Sequence, residues 1–191
     1  MTAPSALSTD EARSRLHELT VIDVRTPGEY AGGHVPGALN IPLDRIERAL
    51  PDIRGAADRG DVLVVCASGA RSANACRILA EHGVDTATLS GGTGAWAADG
   101  HDLDRPQGAA PTVWGMERQV RFTAGTVVLL GLLLGLLVHP AFQLLSAAIA
   151  AGLVFSALTN TCGMAVLLGK LPHNRPRGAD LDRTLEALRN G

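Results

Sequence analysis

Charged side chains are missing from one long stretch of this 191-residue chain. Residues 122–169 contain no Lys, Arg, Asp or Glu, whereas residues 1–121 hold 12 Arg against 16 acidic residues, a net charge of −4. Such a run is too long for a buried helix of a small soluble protein, and it is long enough for two bilayer crossings of about 20 residues each. The sequence therefore excludes a wholly soluble chain.

Cysteine clusters and basic clusters are missing as well. The three cysteines, Cys66, Cys76 and Cys162, are too few and too scattered for a disulfide framework or a zinc site. A net charge of −2 without a basic cluster argues against nucleic-acid binding. The polar N-terminus has no apolar signal-peptide core, so we expect no export of the first domain.

Strand-like and helix-like signals alternate over residues 5–104. Ser8 and Glu11 have the spacing of a capping box that opens a helix, and Val62–Val65 is typical of a central parallel strand covered on both faces. Further strands are predicted at 21–24, 38–41 and 86–89. The helix that begins at Ser8 is predicted to extend to about residue 19, and two more helices are predicted at 43–53 and 72–83. This alternation predicts an α/β domain with a largely parallel sheet.

The uncharged stretch predicts a membrane domain. Residues 105–121 form a linker and a polar juxtamembrane segment, and two spans are predicted at about 122–138 and 141–160. His139 and Pro140 interrupt the apolar stretch and are the predicted turn between the spans. A hairpin of two helices suits lipid because each helix satisfies its own backbone hydrogen bonds. The alternative is one long helix followed by a buried apolar segment. A short surface helix is predicted at 179–188.

The distribution of positive charge predicts the orientation of the membrane domain. Arg118 and Arg121 precede the first span, Lys170 and Arg175 follow the second, and the turn has neither Lys nor Arg. The positive-inside rule then places both the first domain and the tail, residues 170–191, in the cytoplasm.

Small residues in the spans predict close helix packing. Gly131 and Gly135 form a GxxxG motif, and Ala147 and Ala151 have similar spacing, which predicts a homodimer through the hairpin. The alternative is that they pack the two spans against each other. Cys162 falls near the inner end of the second span, where it would accept sulfur or, alternatively, remain a packed or lipid-facing thiol.

The strongest local signal directly follows the strand 62–65. The loop between this strand and the next helix reads Cys66-Ala67-Ser68-Gly69-Ala70-Arg71-Ser72. Open α/β sheets bind ligands at this end of a strand, and backbone N–H groups with a helix N-terminus form an anion cradle. Gly69 lets the loop curl, and Arg71 with the loop donors favours the thiolate of Cys66. We therefore expect Cys66 and Arg71 to be catalytic and the other loop residues to bind substrate.

The spacing within this loop distinguishes two cysteine chemistries. Cysteine phosphatases place an arginine six positions after the cysteine, whereas Arg71 comes five positions after Cys66, which argues against a phosphatase or arsenate reductase. The shorter loop resembles that of the rhodaneses, Cys-x-x-Gly-x-Arg. Further stretches resemble the same family in the same order: Asp23-Val24-Arg25, Glu29-Tyr30, Gly33-His34-Val35-Pro36-Gly37-Ala38, Gly91-Gly92 and Gly94-Ala95-Trp96.

The resemblance extends into the uncharged region. Arg118-Gln119-Val120-Arg121, the predicted hairpin and Cys162-Gly163-Met164-Ala165 are similar to the membrane-anchored rhodaneses of bacterial inner membranes. The resemblance implies a five-stranded, mostly parallel sheet flanked by helices. It also implies sulfur transfer through a persulfide on Cys66, from thiosulfate or a persulfide donor to a thiol or cyanide, and this chemistry requires neither a metal nor an organic cofactor. The alternative is a non-catalytic module that senses sulfur or nitric oxide and acts on the hairpin.

We expect structural roles for the other residues of these motifs. Ser68 and Ser72 are expected to be loop donors and a helix cap, with no nucleophilic role. Cys76 is expected to pack in the core, with a resolving thiol for Cys66 as the alternative. The remaining expectations are an ion-pair network of Asp23, Arg25 and Glu29, a turn position for His34, and packing of Trp96 near the mouth of the loop.

Overall fold

A computed structural model of the chain describes residues 5–105, 116–159, 168 and 178–190. The chain divides into two compact units. The first contains residues 1–113 and 176–191, and the second contains residues 114–175.

The first unit is built on a parallel sheet. Within residues 5–105, five strands pair in the order β1-β5-β4-β2-β3, and every pairing is parallel. The strands are β1 (Ser5–Leu7), β2 (Thr20–Asp23), β3 (Leu39–Asn40), β4 (Val62–Val65) and β5 (Ala87–Leu89). The predicted α/β fold class is confirmed. The sequence pattern missed β1, a three-residue edge strand that is largely exposed.

Helices cover this sheet, and their ends differ in part from the predicted ones. They are α1 (Thr9–Ser14), α2 (Pro27–Ala31), α3 (Ile46–Ala57), α4 (Ala70–Glu81) and α5 (Gly92–Ala98). The capping box of Ser8 and Glu11 opens α1 as the spacing predicts. However, α1 ends at Ser14, because Arg15 leaves helical geometry and its side chain bonds to Asp61.

Apolar side chains fill both faces of the sheet because β4 lies at its centre. All four residues of β4 are buried, and alternate ones point to opposite faces. Val62 and Val64 belong to one core with α3 and α4, whereas Leu63 and Val65 belong to the other with α1 and Trp96. The end of β4 that leads into the cysteine loop is therefore packed on both faces.

A further helix, Gly178–Asn190, packs onto the first unit and is called here the tail helix. Leu181, Leu185 and Leu188 are buried in the same core as α3 and α4. Their spacing places them on one helix face. The predicted surface helix at 179–188 is therefore longer than expected, and its leucine face is part of the domain core.

Ion pairs flank this leucine face. Arg48 of α3 contacts Asp182 at 2.9 Å, and Arg189 contacts Asp52 of α3. The Arg59 guanidinium donates to the backbone carbonyl of Leu188. The tail helix thus returns the chain to the domain from which the membrane segment departs.

The second unit is a helix pair. Its helices are α6 (Met116–Leu137) and α7 (Gln143–Thr159), joined at His139 and a short 3₁₀ turn, Pro140–Phe142. In the described residues, Arg118–Leu137 is the helix that is long and apolar enough to cross a membrane, with a mean hydropathy of 2.0. The apolar helix Pro140–Ser156 has 17 residues. The predicted end of the second span at 160, and Cys162, lie outside the described residues.

The glycines of the GxxxG motif face the other helix of the same pair. A Cβ atom on Gly131 would overlap Ser146 Oγ, and one on Gly135 would overlap the side chain of Gln143. Ser146 Oγ donates to the carbonyl of Val128 at 2.9 Å. In the described helix pair these glycines therefore pack the two helices against each other, which is the alternative that the sequence left open. They give no support to the predicted homodimer.

Candidate active site

Cys66 lies directly after β4, at the carboxyl edge of the sheet, and it has no exposed surface. The backbone N–H of Gly69 donates to Cys66 Sγ at 3.2 Å. Gly69 can aim its amide at the sulfur because its φ is +97°, in the region that favours glycine, and it caps α4 there. The conformation of Gly69 therefore turns the loop around the sulfur and leads the chain into α4.

Ser72 joins this loop to the neighbouring strand. Ser72 Oγ donates to the Gly69 carbonyl at 2.9 Å, lies 2.6 Å from Thr88 Oγ1 on β5, and lies 3.5 Å from Cys66 Sγ. Ser72 is completely buried. It therefore fixes the loop as a hydrogen-bonded brace. Ala67, Ser68 and Ala70 form the outer part of the loop, where Ser68 and Ala70 are exposed.

The start of α5 supports the loop from the other side. Thr93 N–H donates to the Cys66 carbonyl at 2.8 Å, and Gly94 N–H donates to the Ala67 carbonyl at 3.0 Å. Gly92 has a φ of +62°, and a Cβ there would overlap the Cys66 carbonyl. In the sequence, Gly91-Gly92 stands out only as part of the family resemblance. Its supporting role depends on a contact between distant segments, and no local pattern indicates that contact.

Arg71 is held by an acid from another element. Arg71 Nη1 and Nη2 donate to the two carboxylate oxygens of Glu29, at 2.9 and 2.8 Å. Burial would raise the pKa of Glu29, but Arg71 and the N–H of Thr26 lower it to about 2. Burial likewise opposes the charge on Arg71, but Glu29 outweighs it and raises the pKa of Arg71 above its ordinary value. Both groups are therefore charged at neutral pH.

The expected network of three charged residues is divided between two pairs. Arg25 donates to Asp23 Oδ2 at 2.6 Å through Nη2 and at 2.9 Å through Nε, and Nη2 also donates to the Gly33 carbonyl at 2.7 Å. Glu29 instead pairs with Arg71, which is 42 positions away in the sequence. The expectation of one network of Asp23, Arg25 and Glu29 missed Arg71.

The other residues that the sequence singled out lie in the core. His34 stacks on Tyr30 with ring centroids 3.7 Å apart, and its Nδ1 lies 3.0 Å from the Tyr30 carbonyl. Trp96 is buried and donates to the Asp102 carbonyl at 2.9 Å. Cys76 is buried among apolar residues, and burial raises the pKa of its thiol. These contacts are those of packing residues.

Groups that could hold a metal ion are absent from the described residues, where no cluster of three His, Cys, Asp or Glu side chains occurs. The arrangement instead offers a cysteine sulfur, a backbone N–H aimed at it, and a loop arginine paired with Glu29. A parallel sheet with this cysteine loop after its central strand defines the rhodanese class of α/β domain, here followed by a helix pair.

Comparisons with known proteins agree with this class. A model of the rhodanese-like domain matches residues 8–99, and a model of the YgaP-like inner-membrane protein transmembrane domain matches residues 113–176. The uncharacterized protein slr1261 of Synechocystis is 40% identical over 157 residues, which cover 81% of this chain and 84% of that protein.

A sulfurtransferase of Allochromatium vinosum is 39% identical over 92 residues, covering 48% of this chain and 83% of that protein. The crystal structure of a rhodanese-related protein from Thermoplasma volcanium matches with a TM-score of 0.50 and 25% identity, covering 53% of this chain and 99% of that one. The chain belongs to the rhodanese family, in the group that carries a YgaP-like transmembrane domain. It therefore joins a rhodanese-like sulfurtransferase domain to an inner-membrane domain.

Proposed function

We propose that the chain is a membrane-anchored sulfurtransferase that carries sulfane sulfur as a persulfide on Cys66. The observation that carries the proposal is the 3.2 Å hydrogen bond from Gly69 N–H to Cys66 Sγ at the end of β4. A backbone donor and the helix N-terminus stabilise a thiolate, which is the nucleophilic form of cysteine.

In the first half-reaction the Cys66 thiolate attacks the outer sulfur of thiosulfate. A new S–S bond forms, the S–S bond of thiosulfate breaks, and its electron pair leaves with sulfite. Arg71 belongs to the loop, and its N–H groups that do not face Glu29 stabilise the anionic donor and leaving group. Because Cys66 has no exposed surface, the loop residues around it must move aside to admit the donor.

In the second half-reaction a thiophilic acceptor attacks the outer sulfur of the persulfide. With cyanide the products are thiocyanate and the regenerated Cys66 thiolate, so atoms and electrons balance without a cofactor. A thiol acceptor takes the same sulfur as a hydropersulfide.

The test combines turnover with mass measurement on the full chain. We expect a gain of about 32 Da after thiosulfate treatment and thiocyanate formation after cyanide is added, both absent in Cys66→Ser. The matched control is Cys76→Ala, which removes a core thiol and keeps turnover. A Cys66→Ser variant that still forms thiocyanate would contradict the proposal. A wild-type protein that gains sulfur without turnover would favour the sensing alternative.

We also propose that both ends of the membrane domain face the cytoplasm. Arg118 and Arg121 precede the first span, and the positive-inside rule favours the inner side for them. The tail helix packs in the catalytic domain core, so the intervening segment must cross the membrane an even number of times. Protease digestion of inside-out vesicles is expected to release the catalytic domain, and release from right-side-out vesicles would contradict this orientation.

A further inference from the structure

Glu29 occupies a fixed position beside the catalytic loop. It is the third residue of α2, where Thr26 forms a capping box with it. Thr26 donates to Glu29 Oε2 from its backbone N–H at 3.1 Å and from its hydroxyl at 2.9 Å. The Glu29 side chain is only 5% exposed. Thr26, the N-cap of α2, therefore holds the Glu29 carboxylate in place independently of Arg71.

The charges near Cys66 cancel in pairs. Arg71 is the only cationic residue in the loop 66–72, and both of its terminal nitrogens face Glu29. The next charged pair is Asp23 with Arg25. An anion that enters the loop thus meets an arginine whose charge is already balanced by a buried acid.

We infer that Glu29 is a specificity-determining residue that disfavours thiosulfate relative to hydropersulfides, whose leaving group carries less charge. The inference rests on the proposed function of Cys66 as the sulfur carrier. With thiosulfate, a dianion, the thiolate forms the new S–S bond and expels sulfite, another dianion. With a hydropersulfide R–S–SH, it takes the outer sulfur with its proton, and the R–S⁻ thiolate leaves with the electron pair. The thiosulfate transition state therefore carries a total charge of −3 and the hydropersulfide transition state a total charge of −1, a difference of two negative charges.

The size of the effect follows from Coulomb's law. A donor anion bound by the free side of the Arg71 guanidinium lies roughly 7 Å from the Glu29 carboxylate across that group. At this separation each extra unit charge, screened by an effective dielectric of about 20–40, changes a rate by about tenfold or more. Because the thiosulfate transition state carries two extra charges, removing the charge on Glu29 should favour thiosulfate by at least that factor.

The experiment compares donors in the full chain in lipid nanodiscs. The value of kcat/KM is measured for thiosulfate and for cysteine hydropersulfide, with cyanide as the acceptor and the uncatalysed rate subtracted. In Glu29→Gln, the ratio of thiosulfate to hydropersulfide is expected to rise by at least about tenfold, because the amide keeps a carbonyl acceptor for Arg71 but has no charge. The matched control is Glu18→Gln, which removes an equal charge from an exposed site.

A second variant separates charge from structure. Glu29→Asp keeps the charge on a shorter side chain, so its ratio should remain that of the wild type even if both rates fall. If Glu29→Gln changes both donors equally, Glu29 has no role in specificity, while sulfur transfer through Cys66 still stands. If the wild type uses neither donor, the proposed function itself fails.

Discussion

Replacing Leu185 with alanine tests whether the tail helix is part of the rhodanese domain. Leu185 is 5% exposed and belongs to the core with Ile53 and Leu79, although it comes after the membrane segment in the sequence. Both family matches end before it, at residues 99 and 176. If the core assignment is right, a substitution beyond both matched regions must weaken the rhodanese domain.

The magnitude follows from burial. Replacing a buried leucine with alanine costs about 2–5 kcal/mol, and a site on a docked helix, which relaxes easily, lies at the lower end of this range. Alanine is a good helix former, so helix propensity contributes little to the loss. A loss of about 2–3 kcal/mol lowers the melting temperature of a domain of this size by about 10 °C.

The assay is thermal unfolding of the full chain in detergent, followed by the fluorescence of buried Trp96 in a Trp114→Phe background. The control is Glu186→Ala on the same helix, where the side chain is exposed. A melting temperature of Leu185→Ala within about 2 °C of the control would refute the core assignment. It would also remove the argument that both ends of the membrane segment return to one domain.

Three further predictions follow from the contacts. Gly92→Ala places a Cβ against the Cys66 carbonyl, so thiocyanate formation should fall by about 100-fold or more, comparable to losing an oxyanion donor; unchanged turnover would contradict the supporting role of α5. The pKa of Glu29 is lowered from its ordinary value of 4.5 to about 2 in the folded protein. Ionised Glu29 therefore adds about 3 kcal/mol to the free energy of unfolding above pH 4.5, and this contribution is lost as the pH falls toward 2. Urea unfolding should show this loss in the wild type and not in Glu29→Gln. Gly131→Leu should separate α6 from α7, seen as a longer distance between spin labels on them, whereas Gly152→Leu, where a Cβ meets nothing within 4 Å, should leave that distance unchanged.

Several elements were predictable because their signals are local. The run Val62–Val65 became β4 with the predicted bounds, since four consecutive β-branched and apolar residues suit a strand buried on both faces. The capping box at Ser8 and the break at His139 and Pro140 are also local signals, and each appears where the sequence predicts it. The edge strand Ser5–Leu7 was missed because three largely exposed residues carry no period.

The site was predictable only in part for the same reason. The spacing of Cys66, Gly69 and Arg71 lies within one loop, so the sequence alone predicts a nucleophile, a turn and a cation there. The partner of Arg71 is Glu29, from a helix 42 positions earlier, and the loop is also supported by Gly92 from a later helix. These contacts depend on how separate elements meet at one edge of the sheet.

The sequence by itself determined the chemical type of each segment: an α/β domain, a cysteine loop, and an uncharged stretch suited to lipid. It did so because periodicity, loop spacing and absence of charge report what surrounds a short segment. Only the tertiary structure decided the partners: Glu29 for Arg71, the second helix for Gly131, and the core of α3 and α4 for Leu181, Leu185 and Leu188. Several apolar or charged partners suit each of these residues equally well, and the geometry of the assembled chain selects among them.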